Sequence, residues 1–282
     1  MANTIAISGA SGQIGGRVAH LLADTGMPLR LLGRDTTKLP ALPGSTSAAI
    51  DFADPATVAP ALEGAHTFFF VSAVESADRA AQQAAVVRAA AAAGVSRIVY
   101  LSFVGAAPDC VFTFGRDHWH TEQAVRESGL DFTFLRDNEY QDIIPQFADA
   151  DGVIAGPAGS GRVAAVTRAD VAACAAAVLT SGAHSRTTYD LTGPRAFTLT
   201  EATAQMTEIL GRPYRFLDQT VDEAYASRAS YRAPRWEVDG WVSTYTAIAA
   251  GDLAQVTDAV PTLTGRPATD FADYLAGLAR RS

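Results

Sequence analysis

The chain has 282 residues, 48% of them hydrophobic, with a formal net charge of −8 and a mean hydropathy of +0.09. That length suits one large α/β domain or a domain with a smaller partner, and the apolar content suffices for a packed core. A negative charge without any basic run argues against nucleic acid or an anionic membrane as partner; no apolar run spans a bilayer and no signal segment precedes the first strand, so a soluble, cytoplasmic protein is expected.

Taken in chain order, the apolar run Ile5-Ala6-Ile7 stops at Gly9, glycines recur at Gly9, Gly12 and Gly15, and Ile14, Val18, Leu21 and Leu22 follow at helical spacing. This predicts a strand, a tight glycine turn and a helix. Glycines there let a pyrophosphate approach the backbone, and the helix aims its N–H groups at it. The spacing G-x-x-G-x-x-G differs from the usual G-x-G-x-x-G, but the strand-helix context is that of a dinucleotide site.

Gly26 and Pro28 end the helix, and Leu29 to Leu32 reads as the second strand. The residue beyond that strand meets the adenosine ribose, where an acid binds the 2′-hydroxyl of NAD and an arginine accommodates the 2′-phosphate of NADP. Here it is Arg34, with Lys38 one turn on, which points to NADP. Asp35 either favours a ribose hydroxyl or caps the short helix that carries Lys38.

Residues 48–52 read as a third strand, Asp54-Pro55 as a helix start and 66–72 as a fourth strand of the continuously apolar kind buried on both faces. Ser76 is placed to cap an alanine-rich helix ending at Gly94; 97–103 is a fifth strand, about 115–128 a helix and 131–136 a sixth strand. Such alternation implies a doubly wound parallel sheet, with ligand groups beyond the strands' carboxyl ends at 72–75, 102–114 and 137–144.

Past Pro145 the alternation breaks. Residues 152–157 and 161–165 look like short strands around a glycine-rich turn, 169–179 a helix, 187–191 a strand rejoining the sheet, and helices follow from Thr200 and over 236–250 and 271–278. The expected division is a nucleotide-binding domain over 1–137 and a smaller, mixed α/β substrate lobe over 138–282. Cys110 and Cys174 have no metal-ligand spacing and read as buried small hydrophobes.

Over essentially its whole length the chain resembles the NmrA-like, atypical branch of the extended short-chain dehydrogenase/reductases. Ile7 to Gly15, Gly33-Arg34-Asp35, Asp51-Phe52, Leu135 to Tyr140, Thr167 to Ala172 and Leu263 to Pro267 carry the likeness. It is most like the bacterial NADPH:quinone oxidoreductases of this type, with triphenylmethane reductase a more distant relative. The resemblance implies a Rossmann-type fold in which Gly9, Ser11, Gly12, Gln13 and Ile14 hold the pyrophosphate and Arg34 with Lys38 the 2′-phosphate. Asp51 and Phe52 would flank the adenine, Ser72, Ala73, Ser102 and Phe103 line the nicotinamide side, and Asn138, Glu139 and Tyr140 border the substrate pocket. Two departures stand out. Leu135-Arg136-Asp137-Asn138 replaces a Leu-Arg-Asn-Gly stretch, giving a bulkier, more acidic cleft floor, and Gln123 stands at or near a position that is often lysine.

Lys38 is the only lysine, so the Tyr-x-x-x-Lys pair that protonates carbonyls in typical short-chain dehydrogenases cannot exist here. Hydride transfer from NADPH needs position and a dry pocket rather than a protein nucleophile. A quinone, conjugated enone or cationic dye accepts hydride without a fixed donor. If a donor exists, His118 or His120 comes first and Tyr140 second. Histidines two apart on a helix face opposite ways, so no metal is expected, and one of them is placed for a surface pair with Glu122. Trp236, Trp241 and Tyr245 either lid an aromatic substrate or pack a core. The expected activity is NADPH-dependent reduction of a quinone-like acceptor without flavin; the rival readings are an NADP(H) redox sensor and a tailoring ketoreductase or enoyl reductase. A homodimer is left open.

Overall fold

A computed structural model describes residues 3–281. In chain order the elements are β1 (Ile5–Ile7), α1 (Gln13–Ala23), β2 (Leu29–Gly33), β3 (Ser45–Ala49), α2 (Val58–Leu62), β4 (Thr67–Val71), α3 (Arg79–Ala92), β5 (Arg97–Phe103), α4 (Thr113–Glu127) and β6 (Asp131–Asp137). They continue as β7 (Val153–Gly156), β8 (Arg162–Val163), α5 (Arg168–Leu179), β9 (Thr187–Leu191), β10 (Phe197–Thr198), α6 (Leu199–Leu210), β11 (Arg215–Asp218), α7 (Val221–Arg228), α8 (Arg235–Ala250), α9 (Ala259–Thr264) and α10 (Phe271–Ala279).

Seven strands form one sheet in the order β3-β2-β1-β4-β5-β6-β9, and the pairs from β3 to β5 are parallel. This is the doubly wound, Rossmann-type arrangement. The chain winds outward from β1 to β3, returns to β4 and winds the other way, so its direction reverses between β1 and β4. The apolar runs at β4 and β5 suit strands covered on both faces. Phe68 and Phe70 are fully buried with Ala6, Ile98, Tyr100 and Phe134 in a core completed by Val86 and Val87 of α3. As expected, β9 rejoins this sheet.

Four local readings change. The third strand is Ser45–Ala49, so Asp51 and Phe52 lie in the turn after it rather than in it. Ser76 does not cap α3: the N-cap is Asp78, without a side-chain bond, and the buried Ser76 Oγ has no hydrogen-bond partner. The segments 153–156 and 162–163 do not pair with each other; β7 runs parallel to β11 and β8 antiparallel to β10. Finally, Cys174 is buried as expected, but Cys110 is only half-buried, its Sγ donating to Phe112 O at 3.1 Å.

The chain forms two compact units, one of residues 1–108, 117–136 and 171–189 and the other of 109–116, 137–170 and 190–282. The chain passes between them several times, where a single break after residue 137 was expected. The first contains most of the sheet and its core.

The second is built on capped helices. Thr198 and Glu201 form a capping box for α6, and Thr220 and Glu223 one for α7. Phe197 and Phe271 stack at 4.9 Å. Buried Asp170 ties two sequence motifs together, accepting from Thr167 Oγ1 at 2.9 Å, Arg266 Nη1 at 2.6 Å and Thr269 N at 2.8 Å. Removing this carboxylate leaves the buried Thr167 hydroxyl and the Thr269 N–H without their acceptor, at a cost of about 1–3 kcal/mol.

Candidate functional site

At the carboxyl end of β1 the chain turns on backbone contacts alone. Gly9 takes φ +61°, Gly12 N donates to Gly9 O at 2.8 Å, and α1 starts at its N-cap Gly12 with no side-chain cap. The tightest position is Gly15, where a Cβ would lie 2.4 Å from Gly9 O and 2.6 Å from Ser8 O; at Gly12 the nearest atom would be Gly9 O at 3.1 Å. The turn therefore needs glycine at 15 to close and presents Ser11, Gly12 and Gln13 at the surface, with Ile14 buried behind them. Uncapped helix N–H groups over a side-chain-free turn are what a pyrophosphate requires, so these residues fit a dinucleotide. The turn also lies at the sheet's reversal point, since Ser8 Oγ accepts from Val71 N at 2.9 Å across to the end of β4.

Beyond β2, Arg34 and Lys38 are exposed side by side on the tip. Asp35 serves as the cap, accepting from Thr37 N at 3.0 Å and Thr37 Oγ1 at 2.6 Å; these bonds hold its carboxyl below the usual range. The Lys38 ammonium lies 3.8 Å from Asp35, an exposed pair of little energetic weight. In the turn after β3, Asp51 Oδ1 accepts from Ala53 N at 3.0 Å and Phe52 packs edge-on to Phe70 at 5.3 Å.

Next to the glycine turn, past β4, lies a buried polar network whose centre, Arg79, the sequence reading did not single out. Arg79 Nη2 donates to Ser72 Oγ at 2.6 Å and to His118 Nε2 at 2.9 Å, and Ser72 Oγ donates to Gln83 Oε1 at 2.7 Å. An arginine can only donate, so Nε2 is the acceptor and the imidazole proton sits on Nδ1, facing Tyr100 Oη at 2.9 Å. Burial, reinforced by the Arg79 and Arg136 cations, pushes His118 well below the usual imidazole range. Both ring nitrogens are thus engaged within the network, Nε2 with Arg79 and Nδ1 with Tyr100 Oη. Phe103 lies 6.2 Å from its ring, and Ala73 is half-buried next to Ser72.

The signal for this network was present. Arg79 and Gln83 fall on the same helical stripe as the buried Val86, Val87 and Ala90, and polar residues at core positions mark a designed interior. Two further expectations are corrected nearby. Ser102 is fully buried with Oγ donating to Glu122 Oε1 at 2.7 Å, and Glu122 is no surface partner for a histidine: it is fully buried and takes both Arg136 Nε and Nη2 at 2.7 Å. His120 is exposed, its ring 4.9 Å from Trp119.

In the second unit, Tyr140 Oη donates to Asp137 in a very short bond, and the Arg168 guanidinium sits 4.6 Å over its ring. Burial, followed by the Asp137 carboxylate, holds this phenol well above its usual range. Asn138 is fully buried, Nδ2 donating to Leu253 O at 3.0 Å and Oδ1 accepting from Glu139 N, and Glu139 is buried beside it. A cavity of about 390 Å³ is lined by Phe147, Arg228, Tyr231, Trp241, Thr244 and Tyr245. Trp241 and Tyr245 therefore face a cavity, whereas Trp236 packs on Phe114 at 6.1 Å. Among the described residues no cluster of three or more His, Cys, Asp or Glu is placed to hold a metal ion, and no helix is long and apolar enough to cross a membrane.

A family described as NAD(P)H-binding matches residues 9–182. The chain is 36% identical over 279 residues to the (4-alkanoyl-5-oxo-2,5-dihydrofuran-3-yl)methyl phosphate reductase of Streptomyces griseus, and 33% identical over 275 residues to the NAD(P)H azoreductase of Xenophilus azovorans, with 96% of both chains covered in each case. The crystal structure of the NADPH-dependent quinone oxidoreductase 2 of Escherichia coli with NADPH matches with a TM-score of 0.89 at 32% identity, over 97% of this chain and 99% of that one. The chain belongs to the NAD(P)H-binding family and is an NAD(P)H-dependent oxidoreductase.

Proposed function

We propose that the protein is an NADPH-dependent reductase of quinones or similar flat, conjugated electrophiles, working without flavin and without a Tyr-x-x-x-Lys pair. One observation carries this reading: the candidate donors His118, which is buried, and Tyr140, which is half-buried, are each engaged by other side chains. His118 is neutral between Arg79 and Tyr100, and the Tyr140 proton is held by Asp137. A simple ketone needs a proton delivered as hydride arrives; an acceptor that delocalises the incoming charge does not. The relatives support the same class, since an azo group, a quinone and an unsaturated oxo-dihydrofuran ring are all conjugated electrophiles.

When bound, NADPH supplies the hydride. The residues provide position and exclusion of water. Gly9, Ser11, Gly12, Gln13 and Ile14 hold the pyrophosphate by backbone donors, Arg34 and Lys38 the 2′-phosphate, and Asp51 and Phe52 flank the adenine. Ser72, Ala73 and Phe103 line the nicotinamide side, where the Arg79 network keeps the Ser72 hydroxyl turned inward and Ser102 supports the floor through Glu122. Asn138, Glu139, Tyr140 and Trp241 border the acceptor. The test is Tyr140→Phe. A positioned general acid is worth about 10²–10⁴ in rate; the variant is expected to keep at least a tenth of wild-type kcat with a quinone, and a loss of a thousandfold or more would make Tyr140 the proton donor.

A further inference from the structure

The cavity of the second unit has an unusual lining: four aromatic rings and one cation, with no carboxylate among its six residues. Phe147 and Tyr245 meet with ring centres 5.9 Å apart, and Tyr231 stands edge-on to Trp241 at 5.7 Å. Tyr231 is 70% exposed, which puts it at the mouth. At about 390 Å³ the cavity is at the small end of the roughly 300–1,000 Å³ of ligand pockets. It suits a flat molecule of one or two fused rings.

Arg228, the last residue of α7, is fastened in place by neutral acceptors. Nη2 donates to Ala155 O at 3.0 Å, Nη1 donates to Ala224 O at 3.0 Å, and the guanidinium lies 5.3 Å from the centre of the Tyr245 ring. Among the described residues no carboxylate pairs with it. Its orientation is therefore fixed by neutral acceptors; the Glu139 carboxylate acts on the adjoining Tyr245 without a hydrogen bond to Arg228, and an anion in the cavity gains from the guanidinium charge.

We propose that this cavity is a binding site for flat conjugated rings, and that Arg228 makes it prefer those carrying one negative substituent, such as a sulfonate or carboxylate. Such binding lies within the second unit, so it is tested apart from turnover. Naphthalene-2-sulfonate and the neutral naphthalene-2-methanol, neither of which can accept hydride, are titrated against the protein by tryptophan fluorescence, with Trp241→Phe to assign the signal. The sulfonate is expected to bind about tenfold more tightly, as one charge-assisted contact allows. That preference should collapse to about twofold in Arg228→Gln and return in part in Arg228→Lys. Should Arg228→Gln melt early, Thr244→Asp, which puts a carboxylate on the same wall, is expected to weaken sulfonate binding by at least as much. Equal affinity for the two ligands in the wild type, or a preference that survives both Arg228→Gln and Thr244→Asp, overturns the proposal. NADPH oxidation with 1,4-naphthoquinone and its 2-sulfonate is followed in parallel. Absence of turnover with both, beside intact sulfonate selectivity, would sink the reductase reading and leave the anion pocket standing.

Discussion

At the scale of single residues, two side chains carry most of the interpretation. Arg34 is exposed at the tip beyond β2, so its replacement should act on cofactor choice and not on folding. Arg34→Ala is expected to lower the ratio of NADPH to NADH affinity about tenfold, the loss of one charge-assisted phosphate contact; equal weakening of both cofactors would contradict the 2′-phosphate assignment. His118 makes the opposite kind of statement, about stability. Its folded form resists protonation while the unfolded chain titrates near 6.5, so the unfolded state binds more protons below that pH. Stability should be fully present above about pH 6.5 and fall as pH drops below it, by at most about 1.4 kcal/mol per pH unit for this one group. Thermal melts between pH 5 and 7 should show a shallower decline in His118→Gln; an identical slope would mean that the ring is charged in the folded protein.

At the scale of elements, the strand-turn-helix at β1 and α1 separates two roles that one glycine pattern had merged. Gly15→Ala drives a Cβ into the Gly9 and Ser8 carbonyls and should cost about 1–3 kcal/mol of stability, seen as a lower melting temperature without cofactor. Gly12→Val is less crowded, its Cβ 3.1 Å from Gly9 O, and should cost less stability than Gly15→Ala while losing NADPH binding; if Gly12→Val unfolded first, the turn's purpose would be structural. This element was legible because backbone chemistry alone defines it. Strands β4 and β5 were legible as continuous apolar runs, and the helix starts at Asp35 and Asp54 by their capping residues; the helix start expected at Thr200 lies earlier, with Thr198 as its N-cap. The third strand was misplaced by three residues because Ser45 to Ala49 offers no apolar run: it is an edge strand beside β2 with none of its residues buried. The pairings of β7 with β11 and β8 with β10 were invisible for another reason. Each joins short segments far apart in sequence, and no local pattern encodes such a partner. The Arg79 network was encoded in Arg79 and Gln83, the two buried polar residues of α3, but they stand in an alanine-rich helix that also carries the polar Gln82 and Arg88 outside the buried stripe.

At the scale of the whole molecule, the first compact unit holds the glycine turn, the basic tip and the neutral His118 network, and the second holds the Asp137 to Tyr140 segment and the aromatic cavity. Neither unit offers an uncommitted buried acid among the described candidates, and the chain's single lysine is on the exposed tip. An oxidoreductase so equipped should be selective by electronic demand: acceptors that stabilise charge themselves should turn over, and those that need a proton in the same step should not. The direct measurement is NADPH oxidation by the purified protein against matched benzoquinones, naphthoquinones, azo compounds and simple ketones, with NADPH affinity determined alongside. Turnover of the quinones or azo compounds, with the ketones at least a thousandfold slower in kcat/KM, is the expected result. Ketone reduction at comparable rates, or tight NADPH binding with no turnover of any conjugated acceptor, would contradict it.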